Sequence, residues 1–284
     1  MDVFARPKTT APLAVALGVC TMVLGACSRP AETTDMSIKQ SGLSVTRQEW
    51  DRAASRTVFF GHQSVGENIL DGLTKIGASQ GWPVPTTIDA HGSSVPNGPA
   101  LLHAKVGQNG DPFSKLEGFR AALDSGVGAQ ADIALVKFCF WDIQKETDID
   151  AVFNAYQETM ADIGRRFPHI TLVHTTVPLV VEDNDWRARV RRLFGMSVSR
   201  DLENGAREEL NKKMRTAYRG QLLFDIAALE QPDRVAGSEG VPHLASNLSS
   251  DGAHLNDAGR RHVAAGLVRV LSTAASRTIE VSAQ

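Results

Sequence analysis

From Arg56 onward, short apolar runs rich in β-branched and aromatic residues alternate with longer amphipathic stretches, and no other feature of the 284-residue chain restricts its fold as strongly. The runs are TVFF at 57–60, PTTIDA at 85–90, DIALVKFCF at 132–140, ITLVHTTV at 170–177 and LLFDI at 222–226. Helical periodicity fills the gaps: through about Ser79, from Ser114 to about Leu123, from Asp150 to Phe167, around Asp201 to Tyr218, and from Asn256 to about Thr273. Alternation of this kind predicts βαβ units, so the expected class is α/β, a three-layer α/β/α sandwich around a mainly five-stranded parallel sheet. Ligands bind such sheets beyond the carboxyl ends of the strands. Ser64 follows the first run, Gly107 to Asp111 precedes the third, Asp142 ends the third, and Asp251 and His254 lie beyond the fifth. Segments 90–113 and 227–255 have loop composition, and long ordered loops are usually functional.

The two ends of the chain differ from this body. Arg6 and Lys8 precede the apolar run APLAVALGVCTMVLGAC at 11–27, which is too short and too abruptly ended for a permanent span and reads as an export signal. It closes on Leu24-Gly25-Ala26-Cys27, which resembles the lipobox of bacterial lipoproteins. That resemblance implies a mature chain starting at Cys27 and held on the periplasmic side of a membrane by acyl chains; a plain secretory peptide is the alternative. Residues 28–45 are polar and suit a flexible tether. The expected division is therefore a signal over 1–26, a lipidated N-terminus and tether over 27–50, a folded domain over 51–277 and a tail over 278–284. Cys20 leaves with the signal and Cys27 carries lipid, so Cys139 remains as a buried thiol in an apolar run, without an intramolecular disulfide. The formal charge of −2 hides no long run of one sign, which argues against nucleic acid as a partner. Arg187, Arg189, Arg191 and Arg192 form the one basic cluster of note, on an expected helix, and read as a solvated face.

Two stretches carry the chemistry. In VFFGHQSVGENIL, 58–70, Ser64 stands at a strand-to-helix turn where a nucleophile is exposed, but Ser64-Val65-Gly66-Glu67 also fits a capping box that merely starts a helix. In SSDGAHLNDAG, 249–259, Asp251 precedes His254 by three residues, within reach of its Nδ1, while Asn256 or Asp257 caps the helix that follows. A carboxylate there fixes the imidazole tautomer and leaves Nε2 free as a general base; a turn-forming aspartate is the structural alternative.

A serine after the first strand combined with Asp-x-x-His in the last loop resembles the SGNH/GDSL hydrolase family, over about residues 56–273. Phe60-Gly61-His62-Gln63-Ser64 takes the place of the family's Gly-Asp-Ser block and Asn109-Gly110-Asp111 resembles its second block, with further likeness in HTTVPLV at 174–180 and in the segment 209–230. The resemblance implies a flavodoxin-like sheet, a Ser64-His254-Asp251 triad, and oxyanion donors at the Ser64 and Gly110 N–H groups and Asn109. The sequence departs from the family in two blocks: His62-Gln63 replaces Gly-Asp, and Cys139-Phe140-Trp141-Asp142 places tryptophan where the third block has an oxyanion-donating asparagine. Asn109 and Gln63 are candidate substitutes for that donor, and His62, Gln63, Trp141 and Asp142 are expected at the pocket, Asp142 alternatively as a structural strand-end residue. Gly61 and Ser64 are too far apart for Gly-x-Ser-x-Gly.

His91, His103, His169, His174 and His262 lack metal-ligand spacing, and no metal or cofactor is implied. Two functions stay open at this point. One is an esterase acting outside the cytoplasm on a small-molecule, glycan or lipid ester; the other is a weakly active or inactive envelope binding protein on the same scaffold.

Overall fold

The computed structural model of the chain describes residues 44–90, 98–234 and 240–282, with side chains through 276. The signal, Cys27, most of the tether and His91 lie outside the described residues. Helix α1, Arg47–Ala53, opens the body with a complete Thr46/Glu49 capping box and buries Trp50, so the boundary expected at residue 51 falls inside an element. Then follow β1 Val58–His62, α2 Ser64–Gln80, β2 Thr87–Asp89, β3 Leu101–Lys105, α3 Pro112–Asp124, β4 Ile133–Val136, α4 Ile149–Arg166, β5 Thr171–Thr175, α5 Trp186–Leu193, α6 Ser199–Ala217, β6 Leu223–Phe224, α7 Ile226–Leu229 and α8 Asp257–Ser282.

Among the described residues all five strand pairings are parallel, in the order β2-β3-β1-β4-β5-β6. The α/β sandwich is thus present with six strands instead of five. The additional strand is β3, Leu101-Leu102-His103-Ala104-Lys105, which lies in the segment expected to be loop. Polar His103 and Lys105 break its apolar pattern, yet β3 pairs along the whole of β1 and buries Leu101, Leu102 and Ala104. Its presence turns the Val106 to Asp111 loop into the carboxyl end of a strand next to β1. Helix α8 also runs past its expected end at Thr273 and through 278–282, within the expected tail.

Strand periodicity sends alternate side chains to opposite faces. Val58, Phe60, Ile133 and Leu135 pack under α1, α2 and α8, whereas Phe59, Leu102, Ala134 and Val136 pack under α3, α4 and α6. Both faces are covered, as a parallel sheet requires. Chain direction across the sheet changes at β1, with β3 on one side and β4 on the other, and the crevice beyond that point is where an open α/β sheet binds its ligand.

Candidate active site

Strand β1 hands directly over to α2. Gln63, in extended conformation, is the N-cap and Ser64 the first helical residue. The handover needs glycine at two places: a Cβ on Gly66 would stand 2.3 Å from His62 Cβ, and one on Gly61 3.0 Å from Phe119 Cδ2. The first turn of α2 therefore rests on the His62 side chain. Ser64 Oγ lies 3.0 Å from His254 Nε2. The alternative capping box is not built, because the Glu67 N–H donates to Gln63 O and the Glu67 carboxylate pairs with Lys105 at 2.7 Å. Among the described residues the N–H groups of Ser64 and Val65 have no acceptor, so the positive end of a 17-residue helix opens beside Oγ.

The loop before α8 supplies the other two side chains. Asp251 Oδ1 accepts from the N–H groups of Ala253 (2.9 Å) and His254 (2.7 Å), and Oδ2 lies 2.7 Å from His254 Nδ1. The His254 backbone N–H is the main cause holding the Asp251 carboxyl down at about 2, so it is ionised and accepts the Nδ1 proton. Nε2 is then the acceptor, facing the Ser64 hydroxyl. Asn256, not Asp257, caps α8, its Oδ1 accepting from Gly259 N–H. Ser249 Oγ donates to His254 O at 2.8 Å, and Leu255 N–H donates to Asn68 Oδ1 at 3.1 Å. Asn68 stands one turn after Ser64 on α2, so a single helix positions the hydroxyl and fastens the histidine loop. Its i, i+4 spacing from Ser64 was a usable signal that sequence reasoning passed over.

The remaining expected residues depart from the family pattern. Gly110, at φ 89°, donates its N–H to Asp142 Oδ1 at 2.9 Å. Asp142 is buried, accepts also from Cys139 N–H (2.7 Å) and stands 3.8 Å from Lys115 Nζ; burial raises its pKa against those partners. It braces the loops after β3 and β4. Both amide hydrogens of Gln63 are spent on Val106 O and Gly107 O, each at 2.9 Å, so Gln63 is a fastener and no substitute oxyanion donor. His62 is likewise internal, with Nδ1 on Gln63 O (2.9 Å) and Nε2 on His103 Nδ1 (3.1 Å); burial lowers its pKa to about 4 and keeps it neutral. Asn109 is exposed, and its Oδ1 accepts from Lys115 Nζ at 3.1 Å; among the described residues its Nδ2 has no acceptor. Trp141 is 58% exposed beside Gly110.

One further residue has no sequence signal at all. Arg207, buried on α6, donates from Nε to Phe140 O (2.8 Å) and Ile143 O (3.2 Å). Phe140 in turn stands edge-on to the His254 ring, with centroids 5.8 Å apart. A helix remote in sequence thereby sets the wall against which the imidazole rests.

No family model and no curated protein matches the chain. Among solved structures it is similar to a lipase/acylhydrolase from Enterococcus faecalis, at 12% identity and TM-score 0.46 over 77% of this chain and 96% of that one. It is similar also to a carbohydrate esterase of family 3 from Talaromyces cellulolyticus, at 11% identity and TM-score 0.46 over 78% of this chain and 97% of that one.

Proposed function

We propose that the chain is a serine ester hydrolase whose nucleophile is Ser64, with His254 as general base and Asp251 as its orienting acid. One observation carries the proposal: the hydrogen-bonded series Ser64 Oγ, His254 Nε2 at 3.0 Å, His254 Nδ1 to Asp251 Oδ2 at 2.7 Å. In the first step the Ser64 proton passes to Nε2 as Oγ bonds the ester carbonyl carbon and the carbonyl electron pair moves onto oxygen. Collapse expels the alkoxide, which takes the proton from His254. Water, deprotonated at the same nitrogen, then releases the acid and restores Ser64. The oxyanion is received by the Ser64 N–H at the helix start and by Asn109 Nδ2, with Gly110 positioned by Asp142 instead of donating. The chain is proposed to work outside the cytoplasm, held to a membrane through Cys27, on O-acyl esters.

A second function, an envelope binding protein of little or no activity, is favoured by the engaged Gly110 N–H and by Trp141 in place of a donor. Hydrolysis of a panel of short-chain p-nitrophenyl esters separates the two. Turnover that disappears in Ser64→Ala and His254→Ala proteins with unchanged circular dichroism supports the hydrolase. Turnover indifferent to both substitutions removes the triad, and an inert parent protein leaves the binding function.

A further inference from the structure

The segment between β5 and α6 presents an apolar ridge that, among the described residues, nothing covers. On α5, at 3.6 residues per turn, Trp186, Val190 and Leu193 fall on one line, opposite buried Ala188 and the inward-turned Arg192. Trp186 is 69% exposed, Leu193 81% and Phe194 72%, an unusual concentration for one short helix and its exit turn. Arg187 and Arg191 flank the ridge on one side and Arg189 on the other.

Charge decides what this ridge fits. The acidic groups of the segment are consumed internally: Glu182 pairs with Arg192 at 3.1 Å, Asp183 with Arg200 at 3.0 Å, and Asp185 caps α5 through Ala188 N–H. Among the described residues Arg187, Arg189 and Arg191 meet no carboxylate; Arg187 lies over the Trp186 ring, and the other two donate to backbone carbonyls. An apolar line bordered by unneutralised arginines, with tryptophan at one end, matches the boundary between anionic headgroups and acyl chains. A protein partner without acidic groups at its rim would leave those three charges without a counterpart. Among the described residues no helix is long and apolar enough to cross a membrane, so such a contact lies on the surface.

We infer that α5 and its exit turn dock the protein against an anionic lipid surface. The contact is separate from acylation at Cys27 and from ester hydrolysis. It does bear on the site, because the segment is rooted there: Val181 N–H donates to Gly252 O in the Asp251 to His254 loop, and Arg200 donates to Val181 O.

The full chain reconstituted in vesicles tests this through fluorescence quenching by lipids brominated on the acyl chain. In vesicles with phosphatidylglycerol, the Trp186→Phe protein should lose about half or more of the quenchable emission of the parent, and hydrolysis of a soluble ester should be unchanged. Arg187→Glu/Arg189→Glu/Arg191→Glu should abolish the extra quenching that phosphatidylglycerol gives over phosphatidylcholine, each arginine near such a surface being worth roughly fivefold in partitioning. Equal quenching of parent and Trp186→Phe overturns the inference. So does a parent that sediments as a dimer and becomes monomeric in Leu193→Ser/Phe194→Ser, because the ridge would then belong to a second copy. An inactive parent that still shows Trp186-dependent quenching would remove the hydrolase function and leave the docking surface standing.

Discussion

Asp251 is the residue whose contribution can be isolated most cleanly. It is ionised from about pH 2 upward, so its own titration is complete before the range in which ester hydrolysis is measured. Because its folded pKa is depressed, whatever it adds to stability is present above its ordinary value and fades only as pH falls toward 2; with the side chain 53% exposed, solvent screening keeps that contribution small. Asp251→Asn should therefore lower kcat by about three to four orders of magnitude across the whole profile from pH 5 to 9, with little loss of stability. Recovery of activity at one end of that range would mean that Asp251 does not orient His254. Gly66 permits a second prediction. Gly66→Ala drives a methyl group into His62 and should cost about 1–3 kcal/mol in urea denaturation, with activity falling as the Ser64 turn is displaced. At this scale the sequence was informative about Ser64, which stands at a strand-to-helix turn, and about Asp251 and His254, whose three-residue spacing puts the carboxylate within reach of the imidazole. The resemblance implied an oxyanion role for the Gly110 N–H, but its engagement by Asp142 was not legible, because the aim of a backbone N–H depends on where a residue distant in the chain brings its carboxylate.

Between elements, the decisive contact is α6 against the loop after β4. Arg207 satisfies two carbonyls and packs its guanidinium 5.9 Å from the Phe140 ring centre. Arg207→Met keeps much of the volume but leaves those carbonyls and the Asn204 and Glu203 side chains short of a donor. It should destabilise the protein by roughly 2–4 kcal/mol and lower kcat through a looser Phe140 and His254. Arg207→Lys keeps the charge but cannot span both carbonyls, so it should fall between the two in melting temperature, and equal melting of parent and Arg207→Met would remove the brace. The elements themselves were legible where periodicity was strong: α2, α4 and α6 begin and end within a few residues of expectation. Strand β3 was not, because two of its five side chains are polar and Gly98, Pro99 and Gly107 surround it with turn chemistry. What makes it a strand is β1 beside it, a tertiary cause that no local pattern carries. Helix α1 escaped for a similar reason, since a single buried tryptophan, Trp50, does most of its anchoring.

Across the whole molecule, ionisable groups have been drawn inside the fold, and they make stability depend on pH in a way that can be assigned. Glu230, fully buried, accepts Leu179 N–H on Oε2 at 2.6 Å, while Oε1 has no partner among the described residues. Burial pushes its pKa up to about 8, in spite of Lys137 and Arg207 nearby. A carboxyl so raised stabilises the fold in its protonated form. The contribution is complete below the ordinary glutamate value near 4.5 and is lost as pH climbs through 8. His62 and His174, both lowered to about 4 by burial, act in the opposite sense, their contribution being present above 6.5 and lost on acidification. The total stability curve thus mixes two slopes, but a comparison of parent with Glu230→Gln cancels the histidines. The amide retains an oxygen for Leu179 N–H and cannot ionise. Urea denaturation at pH 5, 6, 7 and 8 should show Glu230→Gln gaining on the parent steadily with pH, by on the order of a few kcal/mol at pH 8. Parallel curves would mean that Glu230 stays in one protonation state throughout. In that case the charges of Lys137 and Arg207 would outweigh burial and hold the carboxylate ionised in the fold.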